Sequence, residues 1–271
     1  VNIAGDLVWV PKLGALGAAW ATVASQILSF PLLLFLSAKR GRLPIRLQLP
    51  EVKTLRPLLS ASGPLFLFEM SMSVCYCLVQ SLGTQFSVAS TAAFNAIWNP
   101  VSFISFMAFP LKQAAQVFLP AVLKEEPQSV GGKPKSREFF KLLVALASVN
   151  GLFLAAASAV CAGHPALFTQ DMTLWPEIRS FWPFVATAMA MLPFAIAFEG
   201  VLLGTGDLAY LAQSQLLNVA TAIAALCITK AKGMGVHGTW VVLIALYASR
   251  VLQGALRILV TKKPWKMSVQ K

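Results

Sequence analysis

Five polar side chains recur along one apolar stretch of the sequence at the spacing of a helical stripe. They are Ser62, Glu69, Ser73, Tyr76 and Gln80. Because residues three, four and seven positions apart share one face of an α-helix, all five point in the same direction. At 1.5 Å per residue, Glu69 lies about 18 Å inside the stretch, close to the middle of a bilayer. A carboxylate there suits the binding and release of a proton or a sodium ion. The alternative is a structural glutamate held by hydrogen bonds.

Two other apolar stretches carry polar stripes of the same kind. One contains Thr91, Asn95, Asn99 and Ser102, and the other contains Ser214, Asn218 and Thr221. Three helices with one polar stripe each fit a water-filled cavity, which makes Tyr76, Asn95, Asn99 and Asn218 candidates for its lining. For each residue singly, a hydrogen bond that only holds two helices together is at least as good an interpretation.

Two more charged residues fall within apolar stretches. Arg250 lies at about the estimated depth of Glu69, and from depth alone we form the hypothesis of a buried Glu69–Arg250 ion pair. Glu199 lies close to the end of its own stretch. It either joins an ion-coupling or gating site or extends its carboxylate to the membrane surface.

The elements that position these residues must be membrane helices. Of the 271 residues 57% are hydrophobic and only 12% are charged, whereas soluble domains carry roughly 25% charged residues. A soluble globule is therefore excluded. Apolar runs long enough to cross a bilayer predict an all-α, multi-pass helix bundle. The seven predicted spans are 14–37, 57–82, 88–119, 138–162, 179–204, 207–229 and 236–260, preceded by the end of an eighth helix in 1–10.

The formal charge of +12 follows from the positions of Lys and Arg. If consecutive spans alternate in direction, 17 of the 22 basic residues, Lys112 among them, fall on one face and 4 on the other. This asymmetry predicts that the long basic loops 38–56 and 120–137 and the C-terminus lie on the cytoplasmic or equivalent face. It also accounts for the charge without nucleic acid, which we do not expect as a partner.

Catalytic and metal-binding patterns are missing from the sequence. Four cysteines and two histidines have no metal-ligand spacing, so we expect neither a zinc site nor a disulfide framework. There is no GxSxG, HExxH, P-loop or Gly-rich dinucleotide signature. We place both histidines in loops, away from the serines and threonines of the spans. The sequence therefore predicts no catalytic residues, no enzyme activity and no bound cofactor.

Four segments resemble the multidrug and toxic compound extrusion (MATE) transporters, in the order in which that family carries them. They are NIAGDLVWVPKLGALGAAWATVASQ (2–26), PLKQAAQVFLPAVL (110–123), EGVLLGTGDLAYL (199–211) and GVHGTWVVLIALYASRVLQGALRIL (235–259). The resemblance is nearest to the plastid-envelope branch of plants and algae. It implies a location in the plastid envelope, with the plasma and vacuolar membranes as alternatives.

The resemblance implies a protein of twelve helices in two six-helix lobes. On that plan residues 1–37 are the tail of helix 5 and helix 6 of the N-terminal lobe, and 38–56 are the cytoplasmic or stromal interlobe loop. Residues 57–261 are the six-helix C-terminal lobe, and 262–271 are a basic tail. The chain begins with Val and shows no signal peptide. We therefore expect the rest of the N-terminal lobe, which would be a partner of the C-terminal lobe, to be missing.

The resemblance also implies function. MATE carriers expel organic compounds against an inward flow of protons or sodium ions, with alternating access between the lobes. Glu69, in LFLFEMS, matches the acidic position of the family's seventh helix. Some bacterial members have a second acid near Leu192-Pro193-Phe194, whereas the plastid-like branch places it at Glu199-Gly200.

We therefore expect an antiporter of a small organic solute that uses H+ or Na+, in a lipid bilayer. Glu69 is the first ion-coupling candidate and Glu199 the second. Tyr76, Asn95, Asn99, Asn218 and Arg250 are the candidates for the solute cavity. The alternatives are a lipid-carrier flippase of the same superfamily and a seven-helix receptor or scaffold protein.

Overall fold

The computed structural model describes residues 2–40, 52–125 and 135–260 of the chain. These residues form helices joined by short turns and contain no β-strand. The predicted all-α, multi-pass membrane bundle is thereby confirmed. The α-helices are α1 (Asn2–Leu13), α2 (Ala15–Lys39), α3 (Val52–Gly83), α4 (Val88–Ser105), α5 (Phe109–Glu125), α6 (Lys135–Gly163), α7 (Trp175–Ser180), α8 (Trp182–Gly204), α9 (Leu208–Ala231) and α10 (Gly235–Ala255), the last continued by a π-helical turn at Leu256–Val260.

Seven helical segments in the described part of the chain are long and apolar enough to cross a membrane, as the sequence predicts. They are Ala15–Lys39, Ser62–Gly83, Val88–Lys124, Ser136–Gly163, Trp182–Gly204, Leu208–Ala231 and Gly235–Leu259. Each lies within a few residues of the predicted span, except that two of them begin or end about five residues away.

The third span is interrupted by a 3-10 turn, Phe106–Ala108, which joins α4 to α5. Pro110 has no N–H to donate to the Phe106 carbonyl, so one α-helical hydrogen bond is missing at this point. The side-chain amide of Asn150, on α6, donates to the Met107 carbonyl at 3.1 Å. The proline break is therefore held by a neighbouring helix.

The helices that flank the two long loops extend into the predicted loop ranges. Helix α2 continues to Lys39 and α3 begins at Val52, so both enter the predicted loop 38–56. Similarly, α5 continues to Glu125 and α6 begins at Lys135. Lys, Glu and Leu are good helix formers in water, and a helix need not end where the apolar run ends. Residues 41–51, 126–134 and the predicted basic tail 262–271 lie outside the described residues.

The chain divides into two compact units, Val1–Leu55 and Arg56–Lys271. In the first, α1 and α2 form a hairpin that turns at Gly14, whose φ of 57° is unfavourable for other residues. Small residues face each other across the hairpin. A Cβ at Gly5 would lie 2.8 Å from the Ala21 Cβ, and one at Gly17 would overlap the backbone of Trp9. The two helices therefore pack at close range.

The second unit is organised around α8. Thirteen of its 23 residues are buried, and it packs against α5, α6 and α10. A helix that is apolar on all sides is most stable when other helices surround it. The buried side chains form two clusters, one centred on Trp240 with Phe94 and Phe181, and the other on Phe68 with Phe198.

Glycines on α8 permit its closest contacts with α5. A Cβ at Gly200 would lie 2.7 Å from the Lys112 carbonyl oxygen, and one at Gly204 would lie 2.8 Å from that of Ala115. No side chain larger than hydrogen fits at these points without a shift of α5. The crossing places Lys112 and the C-terminal half of α8 side by side.

Candidate functional site

Four charged side chains from four different helices line one cavity of about 160 Å³. Glu69 comes from α3, Lys112 from α5, Glu199 from α8 and Arg250 from α10. The rest of the lining is Phe68, Met72, Ser73, Tyr76, Phe109 and Ile196. The cavity thus combines two carboxylates and two cations with a largely apolar wall, at a place where the chain is otherwise hydrophobic.

Glu199 and Arg250 form a buried ion pair. The Arg250 Nε and Nη2 atoms lie 2.7 and 2.5 Å from the Glu199 Oε1 atom. The two side chains are only 8% and 2% exposed, and the guanidinium lies over the Tyr247 ring at 5.5 Å. Arg250 Nη1 is buried and has no hydrogen-bond partner among the described residues. This pair is short, enclosed and held from two helices.

The hypothesis that Arg250 pairs with Glu69 is therefore wrong, although both residues line the same cavity. The interpretation of Glu199 as a residue that reaches the membrane surface is also wrong, because its residue exposure is 6%. Both errors have one cause. Depth along a helix does not determine the direction in which a side chain points, and the packing of α8 against α10 turns Glu199 inward.

Glu69 has a much looser partner. Its Oε1 atom lies 3.6 Å from Lys112 Nζ, too far for a well-formed hydrogen bond. The Glu69 side chain is 67% exposed, whereas that of Lys112 is 17% exposed and its Nζ lies 5.1 Å from the centre of the Phe68 ring. The carboxylate that matches the family's acidic position is thus the accessible one of the two.

The predicted placement of Lys112 on the cytoplasmic face is wrong. It lies within the third span, beside Glu69 and α8. The signal was present in the sequence, because Lys112 falls inside the apolar run 88–119 and follows Pro110 closely. A basic residue at that depth has to be paired or reach water.

Tyr76 lines the charged cavity and also a second cavity of about 190 Å³. Its hydroxyl lies 3.3 Å from that of Tyr247 on α10. The second cavity is lined mainly by apolar and aromatic residues, among them Trp98, Phe109 and Leu243. Tyr247 is not among the predicted lining residues, although it precedes Arg250 by three positions and therefore shares its helix face.

Asn218 does not open into a solute-sized cavity. It is 2% exposed and lies between α9 and α10, where its amide donates to Gln215 at 2.9 Å and its carbonyl accepts from Ser249 and Gln253 at 2.8 and 2.9 Å. The adjoining void, of about 10 Å³, has room for at most one water molecule. The geometry favours the interpretation that Asn218 joins two helices.

Asn95 and Asn99 lie on the exposed side of α4 and line neither of the two cavities around Tyr76. On the same helix Trp98, Val101 and Ser102 line the apolar cavity instead. No contact tests the solute role predicted for the two asparagines. That role stays a prediction, as do the coupling roles of Glu69 and Glu199 and the cavity roles of Tyr76, Asn218 and Arg250.

A second ion pair, which was not predicted from the sequence, lies just after α8. Arg257 Nε lies 2.7 Å from Asp207 Oδ2, and the guanidinium lies over the Tyr210 ring at 4.4 Å. Asp207 immediately precedes α9, so this pair joins the start of α9 to the π-helical turn after α10. Unlike the cavity charges, it connects the ends of two helices.

Two polar contacts lie toward the opposite ends of the helices. Thr173 donates from its hydroxyl and its backbone N–H to Asp171, and these bonds lower the pKa of that carboxyl. Ser180 lies 2.7 Å from the Nε2 atom of His237, which begins α10 rather than lying in a loop as predicted. The Ser180 hydroxyl also donates to the Glu177 carbonyl. Within the described residues no cluster of His, Cys, Asp or Glu could hold a metal ion.

The chain is similar along nearly all of its length to DETOXIFICATION proteins of Arabidopsis thaliana. It is 27% identical over 254 residues to Protein DETOXIFICATION 47, chloroplastic, covering 92% of this chain and 46% of that protein. It is 27% identical over 272 residues to Protein DETOXIFICATION 43, covering 98% and 50%, and 24% identical over 258 residues to the chloroplastic Protein DETOXIFICATION 45, covering 94% and 44%. The chain spans about half the length of these curated relatives.

No family model and no solved structure matches the chain. The similarity to the three relatives nevertheless extends over 92%, 98% and 94% of the chain, far beyond the four segments that carry the resemblance. The predicted resemblance to MATE transporters is therefore confirmed, and this integral membrane protein is similar to DETOXIFICATION proteins, chloroplastic ones among them.

Proposed function

We propose that this chain is part of a secondary active transporter that exports an organic solute by antiport with protons or sodium ions. Its DETOXIFICATION relatives support a MATE-type transporter. The observation that carries the finer proposal is the contrast between the two cavity carboxylates. Glu69 is 67% exposed and has one partner at 3.6 Å, whereas Glu199 is enclosed by a short ion pair.

An ion-coupling carboxylate must be reached by the ion and must release it again. Glu69 meets both conditions, because its side chain is accessible and Lys112 holds it only at ionic distance. Glu199 meets neither condition in this conformation, because Arg250 already neutralises its charge and donates two N–H groups to it. We therefore assign ion coupling first to Glu69. Glu199 serves mainly to keep α8 and α10 in register around the cavity.

The solute in this proposal contacts the apolar cavity beside Glu69. Tyr76 is shared by the charged and apolar cavities, so a solute that occupies one affects the other through this side chain. The 3-10 turn at Phe106–Ala108 lines the same apolar cavity through Phe106. A bend at this turn would change the volume available to the solute, as alternating access requires.

The charge of the cavity favours an antiporter over a lipid-carrier flippase. A flippase needs a basic cavity for a pyrophosphate head group, but here each cation faces a carboxylate. Two of the three relatives named above are chloroplastic by name. We therefore propose a plastid membrane as the location.

The test is transport by the full-length gene product in lipid vesicles. Vesicles are loaded with rhodamine 6G or carboxyfluorescein, a cationic and an anionic organic probe, and a proton or sodium gradient is imposed. We expect gradient-driven efflux of at least one probe, and a loss of at least about tenfold on Glu69→Gln, because the neutral amide cannot exchange a cation.

The matched control is Glu138→Gln, which makes the same chemical change on the exposed first turn of α6. It should transport like the wild type. If neither gradient drives either probe, or if Glu69→Gln transports as fast as the control, the proposal is wrong.

A further inference from the structure

Lys112 is the cavity residue whose role the proposed function leaves open. Its backbone is fixed where α5 crosses α8, since a Cβ at Gly200 would lie 2.7 and 2.8 Å from its carbonyl oxygen and Cα. From that fixed point its side chain reaches 3.6 Å from the Glu69 carboxylate. The ammonium is therefore held at the place where a coupling cation would have to bind.

We propose that Lys112 is a specificity-determining residue: its ammonium competes with the coupling cation at Glu69, so that Na+ is excluded while a proton can still bind. This inference rests on the proposed coupling role of Glu69. Any cation that binds Glu69 must displace the ammonium or share the carboxylate with it. Like charges a few ångströms apart repel, even when water screens them partly.

Sodium needs more space and more ligands at Glu69 than a proton does. A hard metal cation takes several oxygen ligands, but four of the neighbouring lining residues are Phe68, Met72, Phe109 and Ile196. Water would therefore have to supply most of the ligands, in the space that the ammonium occupies. A proton needs only one carboxylate oxygen and no added volume, so Lys112 opposes its binding through charge alone.

Lys112 has a second interaction partner, the Phe68 ring, when Glu69 becomes neutral. Its Nζ atom already lies 5.1 Å from the centre of the Phe68 ring, within the range of a cation–π contact. On protonation of Glu69 the carboxylate no longer attracts the ammonium, which keeps its contact with the ring. The lysine can thus exchange partners without losing all stabilisation of its charge.

The other charged and titratable groups around Glu69 contact one another. Tyr76 projects from the same helix as Glu69, Glu199 from α8, and Arg250 with Tyr247 from α10. Arg250 and Glu199 neutralise each other, and the two tyrosines share a hydroxyl contact. The ammonium of Lys112 is therefore the charge that decides which cation reaches Glu69.

The test compares the wild type with Lys112→Met, Lys112→Gln and Lys112→Arg in the full-length gene product. The control is Lys124→Met, which removes the same charge from the exposed end of the same helix. Vesicles carry rhodamine 6G or carboxyfluorescein, and efflux is driven either by a proton gradient or, at equal pH on both sides, by a sodium gradient. Binding is measured separately as the shift in melting temperature between NaCl and choline chloride.

We expect proton-driven efflux and no sodium response from the wild type and Lys124→Met. Lys112→Arg keeps the positive charge and should also show no sodium response. In the two neutral variants at position 112 we expect sodium-driven efflux to appear, because removal of one partly screened repulsion strengthens sodium binding by about tenfold. Their melting temperature should rise in NaCl.

Sodium-driven efflux or a sodium-dependent melting shift in the wild type would overturn the inference, even if no variant at position 112 folds. Folded Met and Gln variants that ignore sodium would overturn it too. The proposed function fails differently. It is wrong if Glu69→Gln leaves gradient-driven efflux intact, whereas wild-type sodium coupling that Glu69→Gln abolishes removes only the role of Lys112.

Discussion

Replacement of Arg250 by Met tests the buried ion pair most directly. The guanidinium is 2% exposed and provides two N–H groups to Glu199 at 2.7 and 2.5 Å. Arg250→Met removes the cation and leaves the Glu199 carboxylate, 8% exposed, without its partner. Glu199→Met does the reverse, because it leaves the guanidinium, which lies over the Tyr247 ring, without its carboxylate partner.

Loss of one member of a buried ion pair costs about 3–5 kcal/mol, because the remaining charge stays desolvated. We expect each single variant to lose free energy of unfolding in this range. Replacement of both partners by apolar side chains of similar volume is often nearly neutral. The double variant Glu199→Met/Arg250→Met should therefore lie within about 1–2 kcal/mol of the wild type, far from the sum of the single losses.

The assay is reversible unfolding of the purified full-length protein in mixed micelles, with increasing SDS and tryptophan fluorescence as the signal. Trp240 is fully buried in the same unit and reports on its packing. The control is Arg137→Met on the exposed first turn of α6, expected within about 0.5 kcal/mol of the wild type. Losses below about 1 kcal/mol for Arg250→Met, or a double variant as unstable as the sum of the singles, would refute the reasoning.

Two packing predictions use the same unfolding assay. Gly200→Ala should cost about 1–3 kcal/mol, because its Cβ would lie 2.7 Å from the Lys112 carbonyl oxygen, whereas Gly163→Ala meets open space and should cost little; equal effects at the two positions would contradict the close α5–α8 crossing. Asn218→Ala should cost about 1–3 kcal/mol by leaving Gln253 and its other buried partners unsatisfied, and an unchanged midpoint would contradict that network.

The sequence was sufficient for the features of the structure that depend on a single helix, namely its length and the face on which each residue lies. Apolar length predicts the seven spans, because each must match the bilayer thickness by itself. Helical periodicity places Glu69 and Tyr76 on one face of α3, and both do line the same cavity. The family resemblance, read from four short segments, agrees with relatives that match nearly the whole chain.

Helix breaks were harder to locate. Pro110 and Pro120 look alike in sequence, but only the first accompanies a 3-10 turn, while the second lies inside α5. Neighbouring helices decide this difference, since the Asn150 amide satisfies a carbonyl at the break. A proline marks where a break can occur, and the tertiary contacts decide whether it does.

Partner choice in the cavity was decided by the tertiary structure alone. Estimated depth in the membrane predicts that Glu69 and Arg250 lie near each other, and both line one cavity. The packing of α8 against α10, however, pairs Arg250 with Glu199, and the close α5–α8 crossing at Gly200 places Lys112 beside Glu69. Depth is one coordinate of a side chain, whereas an ion pair needs all three. Composition and spacing thus determine which residues enter the membrane, and the packing of α5, α8 and α10 determines which charges meet there.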